Sequence, residues 1–229
     1  EISAGTADST MTFGKRTLTP HPVAKLIKVS NKLLRQSALA VDALVRDRLA
    51  YTLGITQEKA FMEGTGAGQP LGVFIASAQG ITTSQDVTTG NATTTLGADN
   101  LRHVYYALKP QYRATAVWVM HTDVVKAISL LKTGDGQYLW TAGIRTGNED
   151  LILGRPVYES RYAPSTFTTG KYLGILGDFS YYWIAESLSN SIRRLDELYA
   201  ATDQVGFLDR AELDGMPVLS EAFARIKLG

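Results

Sequence analysis

A chain of 229 residues with 45% hydrophobic and 20% charged side chains has the make-up of an ordinary folded protein, long enough for one large domain or two modest ones, which argues against disorder or low complexity. Its 23 basic and 22 acidic residues leave a net charge of +1, so no global field draws it onto nucleic acid or an anionic membrane. It has no cysteine, which excludes disulfides, thiolate nucleophiles and thiolate-bound metals, and no run approaches the ~20 apolar residues that span a bilayer.

In chain order, residues 1–22 are rich in threonine and glycine and read as an extended arm, frayed or lying on another subunit. The sequence opens at Glu1 rather than on methionine and lacks a signal-peptide pattern, which leaves an upstream segment open. "VAKLIKVS" alternates like a strand, and "NKLLRQ" gives a turn or two of helix. Ser37 is placed to cap a longer helix carrying Val41, Val45, Leu49, Leu53, Ala60 and Phe61 on one side, with Asp42 and Arg46 paired on the other. From about Ala40 to Glu63 this helix would be roughly 35 Å long, a spine. Gly54 inside it costs up to about 1 kcal/mol relative to alanine. Gly64 is expected to end it in the left-handed conformation, and Pro70 to push Gln69 into extended backbone before the strand "LGVFIA".

A polar, threonine-rich loop or pair of edge strands follows. Asp99 is expected to cap a helix bearing Leu101, Val104, Tyr105 and Leu108, terminated by Pro110. "AVWVM" is a buried-type strand. Thr122 is expected to cap a helix with Val124, Val125, Ile128 and Leu131, which "TGDGQ" breaks. Short strands around "RPVYES", "YLGILGD" and "YYWIAE" and an alternating tail from Ser191 complete the chain. Helices mixed with mainly antiparallel strands, without a regular strand–helix beat, predict an α+β fold.

The glycine-rich "GTGAGQPLG" is a poor phosphate cradle. Its glycines follow a helix instead of opening one, no lysine and hydroxyl residue succeed them, and Pro70 has no amide to give. The dinucleotide fingerprint fails on the same ground. His21, His103 and His121 show no metal-ligand spacing, and no serine occupies a G-x-S-x-G elbow. Glu63, Asp178 and His121 are the one set that could converge for acid–base work, though Glu63 sits at a helix end and Asp178 in a turn. Trp140, Tyr182 and Trp183 read as core or subunit contact in preference to base stacking. No catalytic, cofactor-binding or metal-ligating residue is assigned, and the chain is expected not to be an enzyme.

The stretch "AFMEGTGAGQPLGVF" resembles the most recognisable motif of tailed-bacteriophage major capsid proteins of the Hong Kong 97 fold. "LIKVSNKLL", "VWVMHTDV", "LLKTGDGQYLW", "ILGRPVYES", "ILGDFSYYWI" and "AELDGMPVLSEAFARIKL" agree in order, so the likeness covers essentially the whole chain. It implies an extended-loop remnant over residues 1–22, a peripheral domain from 23–63 and 191–229, and an axial domain over 64–190, with the glycine-rich stretch as the crossover. It further implies self-assembly as hexamers and pentamers into an icosahedral phage or prophage shell. That shell would enclose double-stranded DNA, held weakly and non-specifically, in a virion assembled in the bacterial cytoplasm. Portal, scaffold and maturation protease are the implied partners, with no membrane and no cofactor. Some members weld their shells through a loop lysine and a peripheral-domain asparagine. Lys15 is a candidate lysine, but residues 191–229 contain no asparagine, so a noncovalent shell is expected. An encapsulin-like compartment shares the fold and is the alternative; a tail or decoration protein and an enzyme of unrecognised class are more distant.

Overall fold

The structure, a computed structural model, describes residues 15–36, 40–132, 134–139 and 151–229. Two sheets organise them. The first contains β1 (His21–Ser30), β7 (Tyr182–Leu195) and β8 (Gln204–Pro217) in the order β1-β8-β7, all antiparallel. The second has six strands: β2 (Asp86–Val87), β3 (Val117–Met120), β4 (Leu151–Ile152), β5 (Arg155–Glu159), β6 (Tyr172–Gly177) and β9 (Phe223–Lys227). Their order is β2-β9-β6-β3-β5-β4, antiparallel except for the β2/β9 and β3/β5 pairs.

After the short α1 (Asn31–Gln36), the spine is α2 (Val41–Glu63), one helix of 23 residues. It lies on the three-stranded sheet. Leu49 packs with Val29, Val205 and Phe207, and Leu53 with Ala211 and Leu213, while Val41, Val45 and Phe61 fill the margins. Strand alternation puts those sheet residues on one face, and helical spacing delivers the leucines to meet them. Ser37 falls outside the described residues; Ala40 occupies the N-cap and makes no side-chain bond there. The expected Asp42–Arg46 pair is not formed. Asp42 instead accepts from Arg194 of β7 at 2.8 Å, tying the start of the spine to the sheet edge.

The larger core belongs to the six-stranded sheet. Trp118, Met120, Leu173, Ile175, Phe223 and Ile226 are fully buried in it. α3 (Ala98–Ala107), α4 (Pro110–Arg113) and α5 (Thr122–Ser129) pack Leu101, Val104, Tyr112, Val124 and Ile128 against them. Two expected caps move by a residue or two, and an expected terminator changes role. Gly97 caps α3 and must be glycine, since a Cβ there would meet the Gly90 carbonyl oxygen at 2.0 Å, and Asp99 sits in the first turn. His121 caps α5, its Nδ1 accepting from the Asp123 amide at 3.0 Å. Pro110 opens α4 instead of closing α3. The threonine-rich loop contributes only β2 to a sheet.

The sheets exchange chain at other places than residue 191. β7 enters the three-stranded sheet at Tyr182, and β9 leaves the tail to join the six-stranded sheet. Asn190 therefore lies in the three-stranded sheet, one residue before the segment that lacks asparagine. β1 likewise begins at His21, inside the stretch expected to be loop.

Candidate functional site

The place where the spine hands the chain toward the second sheet is a tightly constrained loop. α2 ends at Glu63, and its last carbonyls would be orphaned without partners. The chain folds back and supplies them, and for that reason the expected strand "LGVFIA" does not form: its amides turn onto the helix end, leaving only isolated bridges at Leu71 and Ala76. Gly64 N bonds Ala60 O at 2.8 Å, Val73 N bonds Phe61 O at 3.0 Å, Phe74 N bonds Met62 O at 3.0 Å, and Gly72 N bonds Gly64 O at 2.8 Å. Leu71 N then donates to Gly215 O at 2.7 Å, fixing the loop to β8.

This return explains the glycines, and corrects one of them. Gly64 is not left-handed: its φ of −63° and ψ of 141° are extended. Glycine is required there because a Cβ would lie 2.2 Å from the Pro70 carbonyl oxygen and 2.4 Å from that of Ala60. Gly72 passes the helix end as closely, with a hypothetical Cβ 2.5 Å from Met62 O. Gly66 and Gly68 carry the positive φ values, 77° and 69°, that turn the loop. So the motif is a helix C-cap that doubles as the joint between two sheets.

Aromatic packing closes the joint from the far side. The rings of Phe61 and Tyr182 meet edge to face at 5.7 Å, and the Tyr182 hydroxyl donates to Leu71 O at 3.1 Å. Burial pushes the Tyr182 phenol far above its ordinary range, with the neighbouring Asp214 carboxylate adding to the rise, so it remains a donor. Asp214 is itself buried. Its Oδ1 accepts from Gly215 N at 2.8 Å and its Oδ2 from Thr19 N at 2.7 Å, which latches the end of the arm to the joint. A second tie spans the sheets where Ser160, after β5, donates from its hydroxyl to Glu58 of the spine at 2.6 Å.

The acid–base set does not form a common centre. Glu63 lines two clefts, one of about 490 Å³ beside His21, Lys59 and Gln69 and another beside Arg161 and Tyr162; neither is lined by His121 or Asp178. His121 is occupied at the start of α5. Asp178 accepts from the Thr115 hydroxyl and from Ser180 N. Burial works to raise its carboxyl, but those hydrogen bonds outweigh it and hold the group below the usual range. Among the described residues no three His, Asp or Glu side chains are placed to hold a metal.

The profile of the phage capsid family matches residues 1–228. The chain belongs to the phage capsid family. Among curated relatives, the major capsid protein of Enterobacteria phage HK97 is 26% identical over 167 residues, 72% of this chain and 41% of that protein. The capsid polyprotein of Pseudomonas phage PAJU2 is 26% identical over 175 residues, 74% of this chain and 25% of the polyprotein. The chain thus spans about two fifths of the first of these relatives and a quarter of the second. Among solved structures, the capsid of an empty GTA particle superposes with a TM-score of 0.83 at 25% identity, over 99% of this chain and 81% of that one. A chain from Microbacterium phage Oxtober96 shares the fold with a TM-score of 0.72 at 15% identity, over 100% and 81%. The fold is α+β and of the Hong Kong 97 capsid type, as the ordered motifs implied. From the residues alone the glycine-rich stretch was legible as a helix end and a joint, but not as a close approach of two backbones, which leaves no mark in sequence beyond glycine itself.

Proposed function

We propose that this chain is a major capsid protein that assembles as hexamers and pentamers into an icosahedral phage or prophage shell around double-stranded DNA. The observation that carries the reading is the likeness to the GTA particle capsid across 99% of the chain, at a TM-score of 0.83. In this reading α2 with the β1-β8-β7 sheet is the peripheral domain and the six-stranded sheet with α3 to α5 is the axial domain. The glycine-rich joint sets the angle between them. Residues 1–20 are the remainder of an extended loop that reaches a neighbour. The virion is the site of action, with assembly in the bacterial cytoplasm and portal, scaffold and maturation protease as partners.

The surface supports tiling. Trp183 and Ile184 of the edge strand β7 are 58% and 56% exposed, and Leu44 and Tyr51 project from the spine at 60% and 59%. Large apolar side chains so exposed on a folded chain mark contact surfaces. Many modest contacts repeated around a shell add to a stable container. Electron microscopy of particles from the native source, with the nuclease-protected contents extracted, tests the reading. Closed shells holding double-stranded DNA are expected; shells holding a protein cargo would transfer the chain to the encapsulin-like alternative.

A further inference from the structure

Between Asp99 and Asp123 the chain has no carboxylate, although 22 of its 229 residues are acidic. The same run carries Arg102, His103, Lys109 and Arg113 together with Tyr105, Tyr106 and Tyr112. α3 and α4 gather part of it into one face. Arg102 and Tyr106 stand one helical turn apart, and both are exposed, Tyr106 by 69%. Arg113 folds back over that turn. Its guanidinium carbon lies 5.3 Å and 5.2 Å from the ring centres of Tyr105 and Tyr106. Its Nε donates to Leu108 O at 2.6 Å and its Nη2 to Tyr106 O at 3.0 Å. Arg155 reaches the same end from β5, its Nη1 donating to Ala114 O at 2.5 Å.

The hydrogen bonds of Arg113 and Arg155 satisfy carbonyls at helix ends, which accounts for their positions. It does not neutralise them. Lys109 is paired with Glu221, but Arg102, Arg113 and Arg155 have no carboxylate partner among the described residues. Three carboxylates stand nearby, Asp99 at the start of α3, Glu221 bonded to Lys109 and Tyr112, and Asp178 bonded to Thr115, but none is paired with the three guanidinium groups, so these remain available on this face. Two carbonyl bonds and the neighbouring Tyr105 and Tyr106 rings fix where the Arg113 guanidinium sits, and Tyr106 adds a hydroxyl of its own.

We propose that this α3–α4 face is a contact surface for the phosphate backbone of double-stranded DNA, made without reading sequence. The choice of DNA among polyanions rests on the shell reading above. Charge-assisted bonds from a planar guanidinium suit phosphate oxygens. With three arginines per subunit the contact is weak alone, and its strength comes from repetition over many copies.

The test measures fluorescence anisotropy of a labelled random-sequence duplex with the full chain from 50 to 200 mM salt, alongside electron microscopy of the same preparations. Each phosphate contact contributes about 0.9 to the slope of log affinity against log salt. Arg102→Gln is expected to lower that slope by about one, and Arg102→Gln with Arg113→Gln by about two. Arg113→Lys is expected to retain it. Arg102 is exposed and caps nothing, so its single variant reports even if removal of Arg113 disturbs α3. Arg46→Gln with Lys59→Gln on the spine removes equal charge and is expected to leave the slope unchanged. The proposal is overturned if the spine variant weakens binding as much, if Arg102→Gln has no effect, or if an acidic polypeptide competes charge for charge with the duplex. Shells that form normally while the slope ignores Arg102 would sink this surface and leave the shell reading standing. Slope changes without any shells would do the reverse.

Discussion

Arg225 and Asp86 form an ion pair sealed from water: Nη2 lies 2.6 Å from Oδ1, with the arginine side chain 0% and the aspartate 6% exposed. The pair fastens β9, the last strand, to β2 at the edge of the six-stranded sheet. Every charge is used. Arg225 Nε also bonds Asp86 Oδ1 at 2.8 Å and its Nη2 bonds Thr82 O at 3.1 Å, while the Tyr172 hydroxyl and Lys227 reach Asp86 Oδ2 at 2.9 Å and 3.3 Å. Removing one partner leaves the other charged and buried. Asp86→Ala is therefore expected to destabilise the subunit by about 3–5 kcal/mol. Urea unfolding of the purified chain measures this; a loss below about 1 kcal/mol would mean that the pair is open to solvent.

The joint makes a graded prediction across its glycines. Gly64→Ala and Gly72→Ala drive a methyl group into backbone at 2.2 Å and 2.5 Å, so the spine end or the loop must move. Both are expected to give little or no folded chain. Gly68→Ala meets open space but a φ of 69°, and is expected to cost only about 1–2 kcal/mol. Yield in the soluble fraction together with thermal melts separates the two classes, and equal tolerance at all three sites would contradict the cap geometry.

Gly54 gives the opposite sign. It sits mid-spine, exposed, with nothing within 4 Å of an added Cβ. Gly54→Ala is expected to stabilise the chain by about 0.5–1 kcal/mol through helix propensity. A thermal melt that moves downward would show that the spine needs to bend there.

Asp209 introduces a pH dependence. It is fully buried on β8 between Phe207 and Ala211, and neither carboxylate oxygen makes a hydrogen bond among the described residues. Burial pushes its carboxyl up, and the adjacent Arg210 amide, which lies close but outside hydrogen-bond geometry, opposes this only in part. Because the folded state holds this proton more tightly than the unfolded state, the group loses stability as pH rises from its unfolded value near 4 through its folded value. Asp209→Asn is expected to raise the melting temperature at pH 7 and to lose that advantage below about pH 4. Paired melts of the two chains across pH 3.5–8 check the sign; an advantage that grows toward acid would overturn it.

The large elements were legible because periodicity is a strong signal. Leu49 and Leu53 at helical spacing placed the spine, and "AVWVM" placed the buried strand around Trp118. What escaped the sequence was long-range. Nothing near Asp42 announces Arg194, 152 residues away, and the nearer Arg46 was the natural partner on local grounds. Local logic also misread Gly64, since helix ends so often use left-handed glycine, whereas here the returning chain at Gly72, Val73 and Phe74 does the capping. The sheet membership of the tail was hidden for the same reason. Strand pairing is fixed by partners far along the chain, so β9 could not be seen to leave the tail for the six-stranded sheet.

The central claim is that this chain works only as one tile among identical copies. Cryo-electron microscopy of the assembled product, resolved to secondary structure, tests it most directly. The account predicts closed shells in which α2 and both sheets repeat around five- and six-fold positions, with β7 and the leading arm against neighbouring subunits. A population of stable monomers under every assembly condition, with the arm and Trp183 remaining in solvent, would contradict it.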